Sequence, residues 1–503
     1  MSMKKIIILL ILVLHSCFVY SQNRNAIWCF GDSAGIDFKN GSIPIVTSVT
    51  GRGSCVSICD TSGTMLFYAA SMYYSNNFYP NSSMIFDATD SLMLNGDSIN
   101  GTFWYREHVI VPMPGDSMKY YLFSIGVTSG PGLSYCIIDM AQNGGHGAVI
   151  QKNVILESFY AVDGMAAVKH GNGRDWWVAI RSAATSNNEH RIYLVSPSGV
   201  SSPIIQNVGS VNSLNTGRYS FSANGNKLAF INYWGLFEIY DFDRCNGIVS
   251  NPVTIHPEPT VLPIRNFWSC EFSPNGRFLY VTAYYSTCFL YQYDLQSPNP
   301  SISRIVLDSI PNYLIGIGHL EVAPDNKIYF GHAYQCNVAP YCYPYPDSVY
   351  NYVNMNLSVI NYPDSLGTAC GYAPFSFYLG GKRTYYGLPN NPDYDLPALA
   401  GSPCDTLVSI NEPATTNTNA SLHVYYAPDW EKAFINADKL KGKKYNLRMI
   451  DILGKEVYSE SGTLNSPYFT RDLNCASFAI GIYLITFETE REKLVKKIQV
   501  NLR

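Results

Sequence analysis

The stretch that decides the fold is FSPNGRFLYV, at residues 272–281. It starts apolar, reverses the chain through Pro and Asn-Gly, and continues as a run of aromatic and aliphatic residues. This pattern is typical of a strand, a tight turn and a second strand. Related stretches occur at residues 222–230 (SANGNKLAF) and 323–330 (APDNKIYF). We therefore expect one hairpin-containing unit to repeat along the chain.

The period of this repeat can be counted from the centres of the turns. Successive centres are 50 to 58 residues apart, at Gly63, Gly115, Gly173, Gly225, Gly276, Asn326 and Gly381. Each of the earlier turns is followed by a second β-rich run ending near an acidic residue, as in residues 84–87 (MIFD). This spacing is typical of the four-stranded blades of a β-propeller and is longer than a solenoid repeat.

Seven turn centres predict an all-β fold built on a seven-bladed β-propeller. Because the strands run out after residues 385–389, the last blade should be composite, with residues 26–30 and 35–38 supplying its missing strands. Closing the ring in this way removes sheet edges that would otherwise be exposed. A pair of open β-sandwiches is the structural alternative.

Composition supports a large, sheet-rich core. The 503 residues are 47% hydrophobic and 14% aromatic, and Tyr is the commonest aromatic residue, which favours strands over helices. A formal net charge of −4 argues against nucleic acid as a partner.

The N-terminus is expected to be a signal peptide covering residues 1–21. Two lysines precede the apolar run of residues 6–14, and a cleavage position lies before Gln22. That run is too short to span a membrane, so we expect no transmembrane helix. Residues 14–17 (LHSC) loosely match a lipoprotein cleavage box, which leaves lipidation as an alternative.

Export implies an oxidising compartment for the thirteen cysteines. Cys336 and Cys342 could close a small loop, and Cys370 and Cys404 are further candidates for disulfides. The pairing does not follow from sequence. Without a Cys-x-x-Cys motif or clustered histidines, buried thiols with one or two disulfides are favoured over a zinc site.

Composition changes after the repeats. Residues 22–390 are predicted to form the propeller, and residues 391–420, rich in Pro, Asn, Thr and Ser, a linker. Residues 421–503 should form a small β-sandwich. Its clearest strands are predicted at residues 446–451, 455–458, 481–487 and 493–500.

Three segments of this last unit resemble the C-terminal sorting domain of the Bacteroidetes type IX secretion system. They are DILGKEV at 451–457, FAIGIY at 478–483 and LVKKIQV at 494–500, and their order, spacing and terminal position match. The resemblance implies passage through the periplasm and then export, with residues 421–503 contacting the secretion machinery. The protein would be secreted or held on the outer-membrane surface, and the sorting domain is usually removed on the way.

The repeats carry a second resemblance. Residues 28–38 (WCFGDSAGIDF), 168–177 (VKHGNGRDWW) and 272–276 together are similar to the propeller-bearing surface proteins of gliding Bacteroidetes, over residues 26–390. This resemblance implies a location and little chemistry.

No catalytic residue, metal site or cofactor is assigned from sequence. Gly31-Asp32-Ser33 resembles the nucleophile block of serine esterases, but strand and turn residues follow it where that chemistry needs a helix. No EF-hand calcium loop is present.

Four residues are candidates for ligand binding. His108 follows Arg106 and Glu107, a trio suited to acid–base work, although a hydrogen-bonded histidine at a blade edge is the simpler interpretation. His170 lies in a polar turn, and His319 begins a strand and is expected to face the central channel. Tyr343 belongs to the loop at 341–345, which with the loop at 73–79 offers aromatic side chains to a ligand.

Two classes of function fit these features. A binding or adhesion protein would use the propeller to hold a glycan or a protein. A secreted enzyme, such as a polysaccharide lyase or glycosidase, would need two carboxylates or a His–Arg–Tyr set converging at the channel mouth. Binding is favoured over catalysis, and fold alone does not decide between them.

Overall fold

The computed structural model comprises two compact units, Met1–Asp405 and Thr406–Arg503. The residues it describes are 23–72, 83–101, 105–126, 132–158, 164–182, 187–212, 217–257, 266–284, 287–311, 315–334, 349–405, 420–427, 431–451, 455–479 and 481–500. Their regular structure is 33 β-strands and three short 3-10 helices, Asn143–Gly145, Pro300–Ile302 and Gly367–Cys370. The predicted all-β fold is confirmed. The signal peptide prediction, at 1–21, lies outside the described residues.

The first unit is a β-propeller whose sheets follow one another along the chain, with neighbouring strands antiparallel. The first sheet contains β1 (Ile27–Phe30), β2 (Asp32–Asp37), β3 (Ile43–Cys59), β4 (Met65–Met72) and β5 (Ser83–Asp87). The second contains β6 (His108–Pro112), β7 (Lys119–Ile125), β8 (Leu133–Asp139) and β9 (Ala148–Glu157). The third contains β10 (Ala166–Lys169), β11 (Trp176–Arg181), β12 (Asn187–Ser196), β13 (Gly199–Val200) and β14 (Ile204–Asn212).

Three more four-stranded sheets complete this unit in the described part of the chain. The fourth contains β15 (Gly217–Phe221), β16 (Lys227–Asn232), β17 (Phe237–Asp243) and β18 (Ile248–His256). The fifth contains β19 (Phe267–Phe272), β20 (Phe278–Tyr284), β21 (Cys288–Asp294) and β22 (Ile305–Ile310). The sixth contains β23 (Ile315–Val322), β24 (Ile328–Tyr334), β25 (Asn356–Ile360) and β26 (Tyr372–Tyr378).

The first sheet has two halves, because the long strand β3 changes partner along its length. Its residues 43–50 pair with β2, whereas its residues 51–59 pair with β4. The described strands of the first unit therefore form six sheets, the first of which is double. The count of seven blades stays a prediction.

All seven predicted turn centres adopt the left-handed backbone conformation that tight turns require. Their φ angles lie between 60° and 88°. Glycine enters this region without steric cost, and asparagine, which occupies position 326, tolerates it better than most residues. The repeat counted from sequence is thus a repeat of real turns.

Apolar packing joins each sheet to the next and closes the ring. The interface between the third and fourth sheets, for example, buries Trp177 against Tyr240 in one cluster. At the closure, Trp28 of β1 lies 6.1 Å from Tyr329 of β24, measured between ring centroids. Asp32 pairs with Arg383 through an isolated antiparallel bridge, and the Arg383 Nε donates to Asp32 Oδ2 at 2.8 Å. The early strands therefore meet the end of the propeller, as the composite closure requires.

The structure corrects the start of the predicted linker. Residues 391–405 belong to the first compact unit. Tyr394 is 1% exposed within the core, and its hydroxyl donates to the carbonyl of Ile110 at 3.0 Å. The composition predicted a linker here because the apolar residues of this segment are too sparse to indicate a strand. They are nevertheless enough to bury an irregular segment against existing sheets.

The same segment carries a disulfide, between Cys404 and Cys245. Cys404 was a candidate, but its partner was not predicted from sequence. Cys370, the other candidate, is a buried free thiol, while Cys336 and Cys342 lie outside the described residues.

The second unit is a β-sandwich of two sheets over one apolar core. One sheet contains β27 (Ser421–Ala427), β28 (Lys432–Asp438) and β31 (Phe469–Asn474). The other contains β30 (Glu456–Thr463), β29 (Lys444–Asp451), β32 (Gly481–Thr489) and β33 (Lys493–Val500). Leu447, Ile485 and Phe487 are fully buried between the two sheets. The four predicted strands of this unit are confirmed.

Candidate functional site

A cavity of about 440 Å³ lies where the first strands of the propeller sheets converge. Its lining includes residues of strands β10, β15, β19 and β23. Residues of the turns that follow three of these strands also line it. Residues 390–396 also contribute to its lining. We call this space the axial cavity.

The charged residues that line the axial cavity are Arg106, Glu271, Glu321, Asp393 and Asp395, and Arg218 lies beside them. Arg106 forms an ion pair with Glu321, while the Arg218 Nη2 lies 3.8 Å from a Glu321 oxygen. Both arginines also donate to the carbonyl of Leu320, at 3.2 and 2.9 Å. Glu271 accepts hydrogen bonds from the Ser220 hydroxyl at 3.0 Å and from the amide of Phe272 at 3.1 Å.

The position of Arg106 is set by its backbone and by Asn390. Arg106 has a φ of 45°, which is unusual for a residue with a side chain. Its Nη1 donates to the Asn390 Oδ1 at 2.5 Å. The Asn390 amide in turn donates to the carbonyls of His108 and Met165, at 2.9 and 2.8 Å. The segment after the last sheet therefore orients the arginine.

Glu271 and Glu321 differ in the protonation state that their surroundings favour. Burial first, and then the neighbouring Glu321, raise the pKa of Glu271 to about 8. Burial also raises the pKa of Glu321, but the Arg106 guanidinium opposes it. The neutral form of Glu271 is therefore favoured at pH 7, while the ion pair with Arg106 favours the charged form of Glu321.

This difference gives a testable dependence of stability on pH. The folded chain holds a proton on Glu271 up to about pH 8, whereas an unfolded glutamate loses it near 4.3. Stability should therefore fall as pH rises from 7 to 8, by up to about 1.4 kcal/mol per pH unit. Urea unfolding across this range measures the slope. Glu271→Gln should flatten it and the exposed control Asp97→Asn should not; an unchanged slope in Glu271→Gln would contradict the assignment.

His108 is a hydrogen-bonded core residue. Its side chain is fully buried, with Nδ1 3.0 Å from the Ser124 hydroxyl and Nε2 2.8 Å from that of Ser83. Burial lowers its pKa to about 4. Glu107 accepts from the Ser71 hydroxyl in the same group, while Arg106 lines the axial cavity. The side chains of Arg106, Glu107 and His108 therefore do not converge on one site.

His170 and His319 occupy different places. His170 accepts from the amide of Asn172 at 3.0 Å, lies 2.9 Å from the Cys245 carbonyl, and has its pKa lowered by burial. His319 lines a second cavity, of about 20 Å³, next to the axial cavity, and burial holds its pKa well below the usual range. Tyr343 and the loops at 73–79 and 341–345 lie outside the described residues. The ligand-binding role of all four candidates stays a prediction.

Sequence reasoning missed Arg218, Glu271 and the role of Glu321. A signal for the two carboxylates was present, because Glu271 and Glu321 each stand five residues before a turn centre, as Ser220 does. Equivalent positions on the first strands of a propeller converge on its axis. Aligning the repeats on their turns would therefore have brought these three side chains together.

The described residues contain no group of three or more His, Cys, Asp or Glu side chains placed to hold a metal ion. Nor does any helix among them have the length and apolarity to cross a membrane.

Comparison with known families identifies the second unit. Residues 423–501 match the family described as "Secretion system C-terminal sorting domain". The predicted type IX sorting domain is therefore confirmed, and with it export to the cell surface or the medium. The match also implies contact with the secretion machinery. No curated protein matches the chain in sequence.

Solved structures similar to this chain include a β-propeller domain and two proteins named as gluconolactonases. A putative 6-phosphogluconolactonase from Bacteroides fragilis is 10% identical with a TM-score of 0.41, over 73% of this chain and 96% of that one. The periplasmic gluconolactonase of Pseudomonas aeruginosa is 11% identical with a TM-score of 0.35, over 80% and 97%. The Cps50 β-propeller domain of Myceliophteria thermophila is 9% identical with a TM-score of 0.37, over 63% and 93%. At these values the similarities say nothing about activity.

Proposed function

We propose that this propeller, which a type IX sorting domain carries out of the cell, is a binding protein whose ligand enters the axial cavity. The observation that carries the proposal is the cavity itself. Its volume of about 440 Å³ falls in the range of small-ligand sites, and its lining is a near-even mixture of apolar and polar residues.

The lining favours the end of a glycan chain as the ligand. Glu271 uses one carboxyl oxygen for the Ser220 and Phe272 hydrogen bonds, and its other oxygen is available to a ligand. At neutral pH this carboxyl can donate as well as accept, because its pKa is raised to about 8. Sugar hydroxyls also both donate and accept, so they match a neutral carboxyl better than an ionised one would.

The test is retention on a glycan array, with a variant that obstructs the cavity. Ala223 is exposed and lines the axial cavity, so Ala223→Trp should reduce glycan binding roughly tenfold or more without disturbing the core. Ala141→Trp, in an exposed turn outside the cavity lining, is the matched control. Equal binding by both variants would place the ligand elsewhere.

Catalysis is the second candidate, favoured by one observation. Glu271 and Glu321 line the same cavity with different protonation preferences, which is the arrangement that acid–base cleavage of a glycosidic bond uses. Product analysis on the glycans retained by the array distinguishes the two. New reducing ends or unsaturated sugars that disappear in Glu271→Gln would make the protein an enzyme, and retention without products would make it a binding protein.

A further inference from the structure

Unpaired hydrogen-bond donors gather around the small cavity beside the axial cavity. Arg218, Trp268, His319 and Arg106 all line this space of about 20 Å³. Arg218 Nε and Nη1, Arg106 Nε, Trp268 Nε1 and His319 Nδ1 are buried atoms without a hydrogen bond in the described part of the chain. Native structures leave few buried polar atoms unpaired, and each such atom is costly. Four residues that line one cavity carry five such atoms, which indicates a missing acceptor.

These atoms act as hydrogen-bond donors. The two arginines and the tryptophan can only donate, and a neutral imidazole can carry its proton on Nδ1. Burial keeps the His319 ring neutral by holding its pKa well below the usual range. Arg218 is 3% exposed and His319 is 4% exposed. The partner that satisfies them all is an acceptor that donates nothing in return.

Charge leads to the same conclusion. Arg106 and Arg218 bring two positive charges to the axis, and Glu321 faces both of them. Glu271 is the other carboxyl beside Glu321, and the neutral form of Glu271 is favoured at pH 7. In the described part of the chain both arginines form their ion pairs with Glu321, so one carboxylate serves two positive charges. An uncompensated buried charge is strongly unfavourable, and one bound negative charge would cancel it.

The size of the cavity limits what can bind. A volume of about 20 Å³ is room for one or two water-sized atoms. Its walls are aromatic, since the Tyr105 ring lies 5.0 Å from that of Trp268 and 5.5 Å from that of His319. Aromatic edges carry partial positive charge and tolerate an anion. Sulfate and phosphate are too large for this space.

We propose that the propeller axis binds one compact monovalent anion, a halide or a carboxylate group, between Arg218, Trp268 and His319. The anion accepts from the two unpaired nitrogens of Arg218, from the indole nitrogen of Trp268 and from the imidazole Nδ1 of His319. This site is separate from the glycan proposed for the axial cavity and does not depend on it.

Thermal unfolding of the whole exported protein tests the proposal. Gluconate is replaced stepwise by chloride, bromide or formate at constant ionic strength and pH 7. An anion that binds only the folded chain raises the melting temperature along a saturating curve. Saturation with the halides alone identifies a halide site, and saturation with formate as well identifies a carboxylate site. A linear change that is equal for chloride, bromide and formate would overturn the proposal.

Two variants and a control test whether the rise in melting temperature comes from anion binding at this cavity. Arg218→Met removes two donors and one charge, and should weaken the anion about ten- to a hundredfold. Trp268→Phe keeps an aromatic side chain but removes the pyrrole half of the indole with its N–H donor. It removes no charge, so it should fold even where the first variant does not, and should weaken the anion about tenfold. Trp234→Phe, at a Trp that is 38% exposed, should leave the affinity unchanged.

The position of the anion is read from anomalous scattering in crystals soaked with bromide. A peak within hydrogen-bond distance of Arg218 and Trp268 is the expected result. An unchanged saturating response in both Arg218→Met and Trp268→Phe, or bromide found only at the protein surface, would overturn the proposal.

Discussion

Tyr394→Ala is expected to lower the free energy of unfolding of the propeller by about 3 to 5 kcal/mol. The ring is 1% exposed within the core shared by the first three sheets. It lies edge-on 5.8 Å from Trp176 and donates to the Ile110 carbonyl. The substitution therefore leaves both a cavity and an unpaired carbonyl. Urea unfolding followed by tryptophan fluorescence measures the loss.

Two further variants separate the contributions at this position. Tyr394→Phe keeps the ring and removes only the hydroxyl, so its cost should be about 1 to 3 kcal/mol. Tyr378→Ala, at a ring that is 54% exposed, should change stability by less than about 0.5 kcal/mol. A cost of that small size at Tyr394 would mean that residues 391–405 behave as the linker that composition predicts.

Loss of the Cys245–Cys404 disulfide is expected to cost the propeller about 2 to 5 kcal/mol. The bond closes a loop with a sequence separation of 159 residues, and long loops gain most from closure because the unfolded chain loses most freedom. Mutating both cysteines to serine and measuring urea unfolding gives the cost.

Reductant provides the control for this prediction. Dithiothreitol should destabilise the natural chain by a similar amount and leave the double serine variant unchanged, since the other cysteines among the described residues are free thiols. Equal sensitivity in the two proteins would show that reduction acts through a different pair.

The repeat was predictable from sequence because turns depend on local conformation. An Asn-Gly or Asp-Asn pair between two β-rich runs has few alternatives to a tight turn, and the seven centres have the φ angles that such turns need. The sorting domain was predictable for a similar reason, since its segments lie close together near the chain end.

The candidate site was harder to predict because it is assembled from separated residues. Arg106 pairs with Glu321 across 215 positions of the chain, and no local pattern encodes that distance. The histidines attracted attention for their chemistry, yet His108 is satisfied by serines from neighbouring strands. Residues 391–405 were predicted to be a linker for the opposite reason. An irregular segment can be deeply buried without any periodic pattern in its sequence.

The bridge between Asp32 and Arg383 limits when the propeller ring can close during folding. Its partners are 351 positions apart, so the ring can close only when nearly the whole propeller sequence is present. Contacts of such long range also make folding slow, because the chain must lose the entropy of a large loop before gaining the contact. During synthesis the two ends of the ring are therefore still apart. The ring is completed only when Arg383 is present to meet Asp32.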